Sequence, residues 1–207
     1  MAEFAASIEW GRAPTKEVAE TALTRVFRQR GSVIQVAHAP GAVLAAEDRR
    51  DVDLIVDHAA EVAVVASCRL DNQEVLRERL RVAAHVGGAR LLLCAYLAWR
   101  NGFPDLLRGD FSGVVWDWRT QHLVGFRDAL GIRPLFYAIS ARGIVIASDV
   151  QIVLAGDGRR GSVDDQTIIE YLTWNYQSID RTYWTHVHRL HGGHVLVARP
   201  QGVEVRR

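Results

Sequence analysis

Residues 111–148 read FSGVVWDWRTQHLVGFRDALGIRPLFYAISARGIVIAS, and this stretch decides the fold. Four short runs rich in β-branched and aromatic residues (111–118, 123–127, 134–139 and 143–148) begin 9–12 residues apart, with turn residues between them. That spacing predicts four strands in an antiparallel meander, because a parallel return needs a connection of helical length. Downstream, a helical pattern over 164–174 leads into a loop rich in Trp, Tyr and His, and two further strands are expected at 195–198 and 203–205.

Upstream, the two periodicities alternate. Residues 4–10 read as a strand stopped by Gly11. Pro14 suits a first helical turn, and Val18, Ala22, Leu23, Val26 and Phe27 recur at helical spacing until Gly31. Residues 32–38, 53–57 and 61–67 read as strands. Asn72 is placed to cap a helix carrying Val75, Leu76, Leu80 and Val82, which Gly87-Gly88 would end; a second helix, 89–99, would close at Asn101-Gly102. Helices in the middle with strands on both sides predict a layered α+β domain.

Composition narrows the function classes. With 207 residues, 49% hydrophobic and 24% charged, the chain can bury a core without disulfides, which excludes a disordered chain. A net charge of +1 gives no basis for a nucleic-acid or membrane surface. The longest uncharged apolar run, 91–99, is less than half a membrane span. Cys68 and Cys94 lie in apolar runs without a CxxC pattern and read as reduced thiols, so a cytoplasmic location is expected.

Four segments carry candidate chemistry. Residues 69–72 join a strand end to a helix start. His186, His188, His191 and His194 crowd nine residues, as metal ligands or as hydrogen-bonded loop histidines; no metal is assigned. In 127–134, Arg127, Asp128 and Arg133 flank a turn at Gly131 before Pro134. There Asp128 either pairs internally with Arg127 or Arg133, or the segment meets a partner. Cys68 has His58 and His85 nearby in sequence, yet Val64, Val65 and Ala66 mark it as a buried strand thiol. No GxSxG, Walker or GxGxxG pattern is present.

The stretches 68–72, 107–111, 115–117 and 127–137, with the turn at 189–194, resemble the N-terminal glutaminase domain of the asparagine synthetase family. The resemblance runs from residues 4–8 to near Arg207 and implies one glutamine amidotransferase type 2 domain over 1–207. The implied fold is that of the N-terminal-nucleophile (Ntn) hydrolases, a four-layer αββα sandwich with two antiparallel sheets. Family members attack glutamine with an N-terminal Cys whose own amine is the base. Here that position falls on Glu3 or Ala2. The family's Asn-Gly-Glu segment, which stabilises the oxyanion and grips glutamine, falls on Ser67, Cys68 and Arg69. The acidic anchor for the substrate ammonium falls on Gly88, leaving no countercharge there. The resemblance therefore predicts no catalytic residue and a hydrolysis-dead scaffold, as in β-lactam synthetases and lasso-peptide cyclases. It implies an ATP-dependent synthetase domain as partner, in cis or in trans. ATP and Mg are expected only there, since no such domain is expected within 1–207, and a homodimer is compatible with the family. Two other readings stay open: an active ammonia-supplying domain whose nucleophilic Cys is missing from this sequence, and a stand-alone peptide- or protein-binding module.

Overall fold

The structure, a computed structural model, describes residues 3–10 and 16–207. Ala2, Gly11 and Pro14 lie outside them. Two six-stranded antiparallel sheets stack face to face. The first contains β1 (Phe4–Glu9), β2 (Ile34–Ala39), β3 (Ala42–Glu47), β8 (Phe136–Ser140), β9 (Gly143–Ala147) and the two-residue β10 (His188–Arg189), in the order β10-β8-β9-β1-β3-β2. The second contains β4 (Val52–Asp57), β5 (Val62–Leu70), β6 (Gly109–Asp117), β7 (His122–Arg127), β11 (Val195–Arg199) and β12 (Gly202–Arg206), in the order β12-β11-β7-β6-β5-β4. Helices α1 (Lys16–Gln29) and α4 (Val150–Asp157) cover the first sheet; α2 (Gln73–Leu80), α3 (Gly88–Trp99) and a 3-10 segment (Arg100–Leu106) cover the second. Helix α5 (Asp165–Leu172) contributes to neither helical layer's core and is mostly exposed.

Strand alternation builds the layers. On β1, Phe4, Ala6 and Ile8 face the other sheet while Ala5 faces α1 and α4. On β5, Ala63 and Val65 face the first sheet while Val62, Val64 and Ala66 face α3. Three apolar cores result, one for each interface of an αββα sandwich.

The sequence reading needs several corrections. The four strands of 111–148 do not form one meander: β6 and β7 pair in the second sheet and β8 and β9 in the first. The eight residues 128–135 carry the chain between sheets, too many for an ordinary hairpin loop. Strand β3 was not expected, because AVLAAE lacks strand-type alternation; all six residues are buried. Helix α4 was likewise not expected, although Asp149 caps it by accepting from the Gln151 N–H and Gly158 closes it. Gly87-Gly88 does not end α2 but starts α3; α2 stops at Leu80, with Arg81 left-handed. Asn72 precedes α2 without capping it. Its side chain instead donates to the Leu106 carbonyl (2.9 Å) and accepts from the Arg108 N–H (3.0 Å), clipping α2 to the segment before β6. Asn101-Gly102 lies inside the 3-10 segment. Among the described residues, no helix is long and apolar enough to cross a membrane.

The crossing segment is held by an exchange of donors and acceptors. The Asp128 carboxylate, 1% exposed, accepts the backbone N–H groups of Leu130 (3.1 Å), Ile132 (2.9 Å) and Arg133 (3.0 Å). Its own carbonyl accepts from Gly131 and Gly193. Arg127 spreads its guanidinium over three carbonyls, those of Arg133, Leu190 and Gly131, each at 2.6 Å. Asp128 hydrogen-bonds to neither guanidinium. The segment is internally held, but by backbone groups rather than by an ion pair. Asp128→Ala would strand three donors around a buried site, and we expect a loss of about 3 kcal/mol or more in denaturant unfolding. Asp128→Asn, which keeps one acceptor oxygen, should recover part of it.

Candidate functional site

Strand β5 runs along α3, and its C-terminal end carries residues 67–69, where the resemblance places the oxyanion and substrate contacts. Alternation puts Ser67 and Arg69 on the face toward the other sheet and turns the Cys68 side chain toward α3, where it packs among the apolar residues of that layer. Ser67 is buried, and its hydroxyl accepts from Arg133 Nη1 at 2.9 Å. The same guanidinium nitrogen donates to Asp51 Oδ2 at 2.6 Å. Burial pulls the Asp51 carboxyl up, but the Arg133 hydrogen bond and charge hold it below its usual value. Arg69 is exposed and engaged away from the cleft, with Asp71 at 2.7 Å and Asp110 at 2.9 Å. Burial, and then the Asp53 charge, push the Cys68 thiol up to about 11, against an opposing pull from Arg133. A protonated thiol facing a helix is no nucleophile at neutral pH.

Glu3 shares the parity of Ala5, on the helical side of β1. It pairs with Arg30, which also meets Asp149 at 3.1 Å, and its backbone N–H donates to Glu47 at 3.0 Å. Burial, and then the Asp149 charge, raise the Glu3 carboxyl. Ala2, the other candidate for the nucleophile position, lies outside the described residues.

At Gly88 the structure adds what sequence reasoning missed. Gly88 has φ +52°, and a Cβ built there would lie 1.6 Å from Asp53 Oδ2. The Asp53 carboxylate, delivered from the edge strand β4, occupies the volume a residue-88 side chain would claim. It accepts the Ala89 N–H at 3.2 Å, in the first turn of α3, whose N-cap Gly87 has no side chain to offer. The Asp53 carboxylate therefore stands beside Gly88, the position where the resemblance places the ammonium anchor and which itself carries no acidic side chain. The signal available in sequence was a Gly-Gly helix start needing an external cap.

The histidines do not converge. His186 Nε2 lies 3.3 Å from Asp157, His188 stacks obliquely on Tyr137, and His191 and His194 pack edge to face.

The glutamine amidotransferase domain family matches residues 17–207. Among curated proteins, the chain is 30% identical over 105 residues to "Asparagine synthetase [glutamine-hydrolyzing] 3" of Bacillus subtilis, covering 49% of this chain and 17% of that protein. It is 28% identical over 147 residues to "Amidase chyE" of Penicillium rubens, with 70% and 21% covered. It is 32% identical over 126 residues to a putative asparagine synthetase of Mycobacterium tuberculosis, with 57% and 19% covered. The chain thus spans about a fifth of the length of these relatives. Among solved structures, the glutamine phosphoribosylpyrophosphate amidotransferase of B. subtilis superposes with a TM-score of 0.64 at 13% identity, over all of this chain and 49% of that one. The allosteric regulatory enzyme of purine biosynthesis gives 0.61 at 12% identity, again over all of this chain and 49% of that one. These likenesses identify the Ntn-hydrolase sandwich.

Two expectations follow from the site geometry. Asp53→Ala uncaps α3 and should lower stability by about 1 kcal/mol in denaturant unfolding. Cys68 should resist iodoacetamide at pH 7 and label readily once the chain is unfolded, where its thiol returns to an ordinary value. Labelling of the folded protein should rise only as the pH approaches 11.

Proposed function

The chain belongs to the glutamine amidotransferase domain family, and from that membership we propose that it is the hydrolysis-inactive scaffold domain of an asparagine synthetase-like, ATP-dependent amide-forming enzyme. The observation that supports this best is the Ser67–Arg133–Asp51 chain. The side chain at the oxyanion position is already bonded to a guanidinium, and Arg69 is spent on two exterior carboxylates. An oxyanion hole needs free donors aimed at the developing charge. The Ser67 hydroxyl is held as an acceptor of Arg133, Arg69 is committed to two exterior carboxylates, and the Cys68 side chain points to the other face of the sheet. The associated synthetase would use ATP and Mg to activate a carboxylate. The attacking amine would arrive with its substrate rather than as ammonia.

The partner surface has its own support. Along α5 and the loop behind it, Ile169, Tyr171, Leu172, Trp174, Tyr176 and Ile179 are all exposed, Trp174 by 83%. Six exposed apolar side chains within eleven residues suit a protein contact better than solvent. The relatives carry several times this chain's length, which is where the covering domain would lie.

Incubation with glutamine should release no ammonia above buffer, and a diazoketone glutamine analogue should leave the N-terminal residue unlabelled. Turnover, or labelling there, would restore the active-glutaminase reading. Trp174→Asp should leave the unfolding free energy of the domain within about 0.5 kcal/mol of the parent, being an exposed change. It should weaken association with the synthetase part in a binding titration.

A further inference from the structure

At the end of the sandwich away from Ser67, three elements meet around a cavity of about 570 Å3: the C-terminus of α3, the β6–β7 turn and the β11–β12 turn. Its walls carry Arg100, Arg119 and Arg199, with Asp117, His122 and Asn101 between them. Sequence separation hid this cluster; sheet register assembles it. Asp117 pairs with His122 across β6 and β7, and Arg199 follows Ala198, which pairs with Leu123.

The balance of charge in the cavity is cationic. Asp117, 1% exposed, is the single carboxylate among the lining residues, and neutral donors already serve it: the Tyr96 hydroxyl at 3.1 Å and the Thr120 N–H at 3.2 Å. Burial, and then the Asp117 charge, push the Tyr96 hydroxyl up to about 12, so it remains a donor. Arg100 and Arg119 reach Asp117 only at 3.5 Å, well beyond the 2.7–2.9 Å of a close charge-assisted bond, and both guanidinium groups are half exposed. Arg199 has no carboxylate partner among the described residues. It meets only the His122 ring nitrogen, at 3.5 Å. Burial, followed by the Arg199 charge, lowers the His122 value, with the Asp117 charge opposing. The Asn101 Oδ1 atom is buried on the same wall without a partner, and Arg206 covers the Asn101 backbone carbonyl. Guanidinium groups matched to tetrahedral oxyanions, in a concave site of ligand size, are a phosphate-recognition arrangement.

We propose that this cavity is a binding site for a phosphate-bearing small molecule, with Arg100, Arg119 and Arg199 as its anion contacts. The site lies on the body of the domain and is separate from the positions aligned with the glutaminase pocket. Its cost to the empty protein is small, because the three guanidinium groups remain hydrated. Closing on a phosphate would replace water and the two long Asp117 contacts with bidentate bonds.

The test is calorimetric titration of the chain with inorganic pyrophosphate, with inorganic phosphate and sodium chloride at matched ionic strength as comparisons. Saturable pyrophosphate binding that raises the unfolding midpoint is expected, with phosphate weaker and chloride without effect. Arg199→Gln and Arg119→Gln should each weaken binding by about tenfold, the worth of one charge-assisted bond. Arg25→Gln, on an exposed face of α1, should leave it unchanged. Arg199→Gln removes no ion pair, so its ligand-free unfolding midpoint should match the parent; Arg119→Gln gives a second reading. Absence of saturation at millimolar pyrophosphate would overturn the proposal. So would equal losses in Arg25→Gln and Arg199→Gln, or binding only to an acidic peptide or nucleic acid.

Discussion

The sandwich depends on one reciprocal knot, at the point where the chain leaves one sheet for the other. A strand-to-strand crossing exposes backbone groups that no ladder can pair, and buried unpaired groups are expensive. Asp128 and Arg127 resolve this with opposite chemistries, one side chain accepting N–H groups and its neighbour covering carbonyls. The Arg127 contact at the Leu190 carbonyl and the Gly193 N–H at the Asp128 carbonyl tie in the approach to β11 as well. Gly192 sits so close to this crossing that a Cβ there would fall 2.8 Å from the Gly131 nitrogen. Burial lowers the Arg127 value, with the Arg189 charge adding and Asp128 opposing, a sign that its position is structural rather than solvated. A lysine could not serve three carbonyls in this planar way.

The knot also explains why 127–134 reads like its family although the neighbouring site does not. Its side chains bond to the backbone of the crossing, so its chemistry is demanded by the fold whatever the domain does. Of its charged side chains, Arg133 alone turns from the crossing, bonding Asp51 and Ser67, the latter where the resemblance places an oxyanion contact. What holds the two sheets together thus supplies the group that occupies Ser67.

Much of this was legible in the sequence, and the gaps have physical causes. Periodicity placed β1, β4 to β9 and α3 within a few residues, because their buried faces carry strong apolar patterns. It could not show which sheet a strand joins, since alternation reports a face and not a neighbour; the length of 128–135 was the available clue. Strand β3 was missed because its alanines are small enough to be buried on both sides, which erases the alternation. Asp53 was invisible as a site residue because its importance comes from β4 lying beside the start of α3, a proximity no local pattern encodes. The arginines of the cavity at the β6–β7 end are separated by up to 99 positions and meet only through register.

The geometry at Gly88 has an evolutionary corollary. Two acidic side chains, at 53 and at 88, would claim one volume, and the backbone at 88 is wound in a form that favours glycine. The positions are therefore epistatic: the charge can come from the strand or from the helix, but not from both. A chain with its carboxylate on the strand cannot gain a second on the helix by one substitution, since Asp53 Oδ2 already fills that volume. Scored column by column, such a pair looks like an acid lost and an unrelated acid gained. In space the two positions compete for a single carboxylate site.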